Sequence, residues 1–136
     1  MEEIIEVSSP DLDESLTQIF ADPNFLLPNL LGAINVDVKE KSFWCEIPIF
    51  GKSTIVIYGR VLSSQNSVIY VIKVAGYGED KGGKIAVNLS RGKIKISVDL
   101  NIPMERLSSR YLKSRINYFK TNISELIRVE RIKRKI

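Results

Sequence analysis

Hydrophobic residues in the last quarter of the chain repeat with the period of an α-helix. Between about Glu105 and Arg131, apolar residues recur at three- and four-residue spacing, at Leu112, Ile116, Phe119, Ile123 and Leu126 or Ile127. This spacing places one apolar stripe along a helix. We therefore predict a long C-terminal helix whose stripe must be covered by the rest of the chain.

The N-terminal segment predicts one strand and two short helices. Residues 3–8 alternate in polarity, with Ile5 and Val7 on one face. Ser9-Pro10 and Asp22-Pro23 each place a good helix N-cap before a proline, which suits the first helical turn. The apolar positions of the first helix are Leu12, Leu16, Ile19 and Phe20. Those of the second are Phe25, Leu26, Leu30 and Leu31, and Gly32 is expected to end it.

From residue 34 to residue 102 the hydrophobic period changes to two, which predicts six strands. Turn signals separate them at 39–41, 50–52, 63–67, 76–83 and 91–92. If Arg91-Gly92 is a two-residue turn, three apolar pairs share one face: Leu89 with Ile94, Val87 with Ile96, and Ile85 with Val98. In the first hairpin, Ile34, Val36 and Val38 are expected to face Ile47, Cys45 and Phe43.

The middle pair of strands is ambiguous because both of its faces are apolar. One face of the later strand carries Val68, Tyr70, Ile72 and Val74, and Lys73 marks the outside. In the earlier strand, a three-residue loop at 64–66 would turn Val56, Tyr58, Arg60 and Leu62 inward. A two- or four-residue loop would instead turn Ile55, Ile57, Gly59 and Val61 inward. Burial of an unpaired cation is costly, so an inward Arg60 would need an anion.

These elements predict an α+β fold with a curved antiparallel sheet of about seven strands around the C-terminal helix. Strands about 4.8 Å apart give a sheet roughly 30 Å wide, whereas a helix is only about 10–12 Å across. One helix cannot cover that face, so the sheet must curl around it. Either large side chains cover the rest of the sheet face, or a cavity remains between the sheet and the helix. A cavity is the alternative that implies a function, because it could hold a ligand.

The same succession of elements resembles the helix-grip superfamily called SRPBCC, which includes START domains, pollen-allergen-like proteins and polyketide cyclases. The most specific segment is ADPNFLLPNLLG at 21–32, which is similar to the family's "dp..l..wlPg" segment. The resemblance covers nearly the whole chain and identifies it as a small prokaryotic or archaeal member. It implies an apolar cavity for lipids, sterols, polyketides or similar molecules, in proteins that are binders, transporters or enzymes.

Composition limits the possible chemistry. At 136 residues, 44% hydrophobic and 26% charged, the chain suits one globular domain, residues 1–136. Cys45 is the single cysteine and is expected to be a buried apolar residue, and the chain has no His. We therefore expect no disulfide, no His-based metal site and no cofactor. The absence of a long apolar run and of a signal-like N-terminus predicts a cytoplasmic protein that is not integral to a membrane. Abundant Ile, Lys and Glu are compatible with a thermophile.

Charge is concentrated at the C-terminal end of the chain. Residues 106–136 carry ten Lys or Arg against Glu125 and Glu130, whereas the whole chain carries only +4. A solvated helix face accounts for this distribution. The alternative is a surface for nucleic acid or an anionic membrane. The chain has no phosphate-binding glycine loop and no zinc ligand set, so we expect no nucleic-acid partner.

We predict a non-catalytic binder or transporter of a hydrophobic ligand such as a fatty acid. A cyclase-like or hydrolase-like enzyme acting on an apolar substrate is the alternative, but the inward positions contain no Asp, Glu or His. The predicted cavity wall comprises Phe43, Ile72, Val74, Val87, Leu89, Ile96, Val98, Ile116, Phe119 and Ile123, with Phe25 and Leu30 near its mouth. Tyr58, Arg60 and Tyr70 are the predicted contacts of an anionic head group.

The outward face of the middle strands predicts an assembly. It retains Ile69, Val71 and either Ile55 with Ile57 or Val56 with Tyr58, close to Trp44. A monomer seldom leaves such a contiguous apolar patch in water, which predicts a homodimer through the convex sheet face.

Overall fold

A computed structural model of the chain describes residues 1–8, 14–50 and 53–136. These residues form seven strands and three helices in the predicted order. The elements are β1 (Glu2–Ser8), α1 (Glu14–Phe20), α2 (Pro23–Leu31), β2 (Ile34–Lys39), β3 (Ser42–Phe50), β4 (Ser53–Ser63), β5 (Ser67–Val74), β6 (Gly82–Ser90), β7 (Lys93–Asn101) and α3 (Glu105–Arg134). The predicted α+β helix-grip fold is confirmed.

The seven strands form one antiparallel sheet in the order β1-β7-β6-β5-β4-β3-β2. From β2 to β7, strands that follow one another in sequence are therefore neighbours, and β1 lies at the far edge beside β7. Helix α3 contacts both β1 and β3, which are five strands apart in the sheet. Because a helix is only about 10–12 Å across, the sheet must curl around α3 to make both contacts.

The hairpin formed by β6 and β7 has the predicted register. Leu89 pairs with Ile94, Val87 with Ile96, and Ile85 with Val98, and all six side chains are buried. Gly92 in the two-residue turn has φ +75°, a conformation that glycine adopts without steric cost. The turn chemistry and the hydrophobic alternation therefore specify the same arrangement.

The predicted register of β2 is wrong at its start. Val38 pairs with Phe43 as expected, but Ile34 pairs with Glu46 and is 44% exposed. The register shifts between Ile34 and Asp37, where Asn35 has φ 52°. The inward–outward alternation of side chains along β2 is therefore interrupted at this point. The expected contact between Ile34 and Ile47 therefore belongs to a regular hairpin that does not form here.

Helix α2 begins and ends at the predicted residues. The Asp22 carboxylate accepts a hydrogen bond from the Asn24 backbone N–H at 2.9 Å, and Gly32 ends the helix at φ 70°. The predicted start of α1 at Ser9-Pro10, its residue Leu12 and the turn at 51–52 lie outside the described residues. Helix α3 begins at Glu105 as predicted and continues to Arg134, three residues beyond the expected end.

The apolar stripe of α3 faces the sheet. Leu112, Ile116, Phe119 and Ile123 are buried, and Leu126 and Ile127 are partly buried against them. They join one hydrophobic cluster with inward residues of the strands and of both short helices; β2 contributes Val36 and Val38, which are partly buried against it. The core therefore lies between the concave sheet face and α3.

Gly59 occupies a crowded position on β4. It pairs with Phe43 on one side and Ile72 on the other. A Cβ atom at this position would be 1.8 Å from the Val71 carbonyl oxygen. Atoms at that separation overlap, so the close approach of β4 and β5 requires glycine here.

Candidate functional site

The predicted cavity wall is assembled on the concave side of the sheet. Strands β3, β5, β6 and β7 and helix α3 each contribute residues to it, because alternate residues of a strand point to one face. All members of the wall are buried, and the most exposed, Leu89, retains 7%. They are Phe43, Ile72, Val74, Val87, Leu89, Ile96, Val98, Ile116, Phe119 and Ile123.

Side chains of the short helices occupy much of the space that the sheet and α3 leave between them. Helix α1 contributes Leu16, Ile19 and Phe20, each fully buried in the same cluster as the wall. Phe25 and Leu30 on α2 are also buried, at 2% and 0%. Both short helices therefore pack their apolar faces inward, and the position of Phe25 and Leu30 near a cavity mouth stays a prediction.

Tyr70 provides a polar group inside this apolar core. Its hydroxyl donates a hydrogen bond to the Phe20 carbonyl oxygen at 2.6 Å, and its ring lies 5.8 Å from that of Phe43. Burial and the nearby negative charge of Asp22 raise the pKa of Tyr70 far above its ordinary value. Tyr70 therefore stays neutral and joins β5 to the end of α1.

The predicted head-group contacts are not brought together. In the β4–β5 hairpin Ser63 pairs with Val68 and Arg60 with Val71, which turns Ile55, Ile57 and Val61 inward. Arg60 and Tyr58 are consequently exposed on the outer face, opposite to the side on which Tyr70 is buried. The inward assignment of Tyr58 and Arg60 is wrong because Ser63 pairs with Val68, which leaves four residues between the paired positions and not three.

Among the described residues, the polar contacts that hold α1 and its junction with α2 to the rest of the protein include four between named partners. Two connect to α3: Arg131 Nη1 donates to Ser15 Oγ at 2.6 Å, and Arg134 pairs with the Asp22 carboxylate. The third joins Thr17 Oγ1 to the Gln65 carbonyl oxygen at 3.1 Å in the β4–β5 loop. The fourth is the Tyr70 hydrogen bond. Side-chain contacts of modest strength thus keep α1 over the core.

Cys45 is fully buried, as predicted, and its burial should make the stability of the protein depend on pH. Burial, with a smaller effect of the Glu46 charge, raises the pKa of the thiol from 9.0 to about 12. The unfolded thiol ionises above about pH 9 while the folded thiol stays neutral, so stability should fall as pH rises through this window. The loss is about 1.4 kcal/mol for each pH unit.

Urea unfolding at several pH values between about 8 and 11 measures this loss. The Cys45→Ala variant is the control, because lysine and tyrosine titration affects both proteins equally. Its stability should fall less steeply than that of the parent. Equal slopes for the two proteins would show that the thiol does not contribute.

The structure also bears on metal ligands and on membrane-spanning helices. Within the described residues, no group of three or more His, Cys, Asp or Glu is placed to hold a metal ion. No helix in the described part of the chain is both long and apolar enough to cross a membrane.

The model of one protein family matches residues 1–136. The chain belongs to that family. No curated protein matches the chain at a significant level. Its fold is similar to that of a hypothetical protein from Sulfolobus tokodaii, with a TM-score of 0.81 and 24% identity over 100% of this chain and 99% of that one.

Two other solved structures share the fold at lower similarity. Major latex-like protein 151 from Panax ginseng has a TM-score of 0.55 and 11% identity, over 90% of this chain and 96% of that one. An HSP90 activator from Plasmodium falciparum has a TM-score of 0.53 and 17% identity, over 91% and 95%. At these identities the likeness establishes a common fold.

Sequence reasoning missed the second polar feature of the sheet, which lies on its outer face. A groove on this face is lined by residues that include Tyr58, Arg60, Leu62, Val71 and Lys73. The available signal was the absence of Asp and Glu from β4, β5 and β6, although Arg60, Lys73 and Lys84 lie on them. The predicted homodimer through this face stays a prediction.

Proposed function

We propose that residues 1–136 form one domain that binds a hydrophobic small molecule, such as a fatty acid, without catalysing a reaction on it. The ligand would lie between the concave sheet face and α3, as in a cytoplasmic member of the SRPBCC superfamily. The observation that carries the proposal is the continuous apolar wall of strands and α3, covered at one end by α1.

Ligand access on this proposal requires α1 to move. The wall residues are closed off from solvent, and Leu16, Ile19 and Phe20 fill the space beside them. Apart from the buried Tyr70 hydrogen bond, the polar contacts of α1 and its junction with α2 are exposed or only partly buried, so they can break without disturbing the sheet. A ligand would replace the buried side chains of α1 against the wall, and each buried methylene would contribute about 0.8 kcal/mol.

The absence of acid–base groups supports binding over catalysis. Among the described residues, the buried polar side chains of the protein are Tyr70, Cys45 and Ser108, and Ser108 donates to the Pro103 carbonyl oxygen away from the wall. The pKa values of Tyr70 and Cys45 are both raised, which keeps them neutral. Neither group is a base or nucleophile at neutral pH.

Titration with a fluorescent fatty-acid analogue tests the proposal. We expect saturable binding that the inner variant Val87→Phe weakens at least about tenfold, because the added ring occupies space against the wall. The matched control is Ala86→Phe, which places the same ring on the outer face of the same strand and should bind like the parent. Circular dichroism verifies that both variants are folded.

The Tyr70→Phe variant tests the access route. Removing the hydroxyl frees the end of α1, so the analogue should bind faster in stopped-flow measurements. Binding that is unchanged by Val87→Phe, or native mass spectra without any bound lipid, would contradict the proposed interior site.

A further inference from the structure

A second concave feature lies on the outer face of the sheet, across β3, β4 and β5. It is a groove of about 440 Å³, a volume within the range of small-molecule sites. Its walls are Ser42, Phe43, Tyr58, Arg60, Leu62, Val71 and Lys73, and it crosses Gly59. Phe43 also belongs to the interior wall and borders the groove beside Gly59, whereas the other side chains named here lie on the outer face of the sheet.

Strand pairing fixes the arrangement of these side chains. Tyr58 lies opposite Lys73, and Arg60 lies opposite Val71. Directly opposite residues have Cβ atoms about 5 Å apart, and diagonal neighbours such as Arg60 and Lys73 are about 7–8 Å apart. Two long cationic side chains therefore start close enough to reach one small anionic group between them.

Apolar surface adjoins the two cations. Tyr58 is 43% exposed, Leu62 48% and Val71 41%, which is unusual for large hydrophobic residues on one sheet face. Trp44 pairs with Tyr58 on the neighbouring strand and is 41% exposed. The groove thus combines an aromatic and aliphatic surface with a cationic centre.

The positive charge of the groove is not neutralised by the protein. Strands β4, β5 and β6 contain no Asp or Glu, and within the described residues neither Arg60 nor Lys73 has an ion-pair partner. Glu46 on the neighbouring strand β3 accepts a hydrogen bond from Asn35 Nδ2 at 3.1 Å. The positive charge of the groove therefore favours an anionic ligand.

We propose that this groove binds a small aromatic anion. The planar ring would lie on Tyr58, Leu62 and Val71, and the carboxylate or phosphate would lie between Arg60 and Lys73. Arg60 can form a bidentate pair with such a group, and Lys73 supplies a second charge. Two copies of the chain packed face to face would bring Arg60, Lys73 and Lys84 of both together, so a second copy fits this face less well.

Isothermal titration with 2-naphthoate tests the proposal, with the neutral 2-naphthalenemethanol as the matched ligand. We expect the acid to bind about tenfold more tightly than the alcohol, and its affinity to fall when NaCl is raised from about 50 to about 500 mM. Arg60→Gln and Lys73→Gln should each weaken naphthoate binding about tenfold. Lys95→Gln, a charge change on the exposed face of β7 away from the groove, is the control and should bind like the parent.

The interior variant separates this site from the proposed function. Val87→Phe should leave naphthoate binding unchanged, so either site can fail without the other. Equal binding of the acid and the alcohol, or full affinity in Arg60→Gln, would overturn the proposal. So would light scattering that shows a dimer which Val71→Asp dissociates, because a second copy would then occupy the groove.

Discussion

The Phe119→Ala variant is expected to lose about 4 kcal/mol of unfolding free energy, because removal of a fully buried phenylalanine costs about 3–5 kcal/mol in a packed core. Phe119 is at 0% exposure on the buried stripe of α3. Its ring packs in the cluster formed by the sheet and the short helices. The loss combines the transfer of the ring into water with the cavity left behind.

Urea unfolding of Phe119→Ala beside Lys120→Ala provides the measurement. Lys120 is the next residue and is exposed, so its substitution should change stability by less than about 0.5 kcal/mol. Benzene should raise the melting temperature of Phe119→Ala by more than that of the parent, because the cavity left by the ring is apolar and of a size that binds it. A loss below about 1 kcal/mol would instead indicate that the ring borders open space, as in a hollow protein.

Gly59→Ala is expected to destabilise the protein by about 3 kcal/mol, the upper part of the range for overpacked sites. The new methyl group would overlap the Val71 carbonyl oxygen, which belongs to the adjacent strand and can move only with the sheet. The ring of Phe43 lies 3.2 Å from the same methyl position and blocks one direction of relief. Strands β4 and β5 would therefore have to separate.

Gly92→Ala is the matched control for Gly59→Ala. Gly92 has φ +75° but nothing within 4 Å of an added Cβ, so its substitution introduces backbone strain alone, about 1–2 kcal/mol. Chemical denaturation of both variants separates crowding from strain. If Gly59→Ala lost no more stability than Gly92→Ala, the close approach of β4 and β5 would not be a constraint.

The parts of the fold that could be predicted from sequence are those where two local signals agree. In β6 and β7 the turn Arg91-Gly92 and the alternation of polarity require the same register, and the structure has it. In α2 the cap Asp22 and the terminating Gly32 delimit the same segment. Agreement between independent local preferences leaves few competing arrangements.

The predictions that proved wrong concern segments where one of these local signals was missing. The β4 strand is apolar on both faces, so only the length of the loop decided whether Arg60 faced inward or outward. At Asn35 a single irregular residue displaced Ile34, and no pattern marked it. The inward position of Phe20 was predicted from the spacing of apolar residues, but its edge-to-face contact with Phe25 on α2 joins two helices, which hydrophobic spacing does not specify.

The pairing of β1 with β7 constrains how the sheet is completed during synthesis. Glu2 lies opposite Asp99, whereas each of the other strand pairs joins consecutive strands. A ribosome adds about 5–20 residues per second, so β1 waits roughly 5–20 s for its partner. During that interval the remaining strands can form hairpins locally, but β1 keeps Ile5 without its partner Ile96. Closure of this last, long-range pair is therefore the step at which an incomplete chain is most exposed to aggregation.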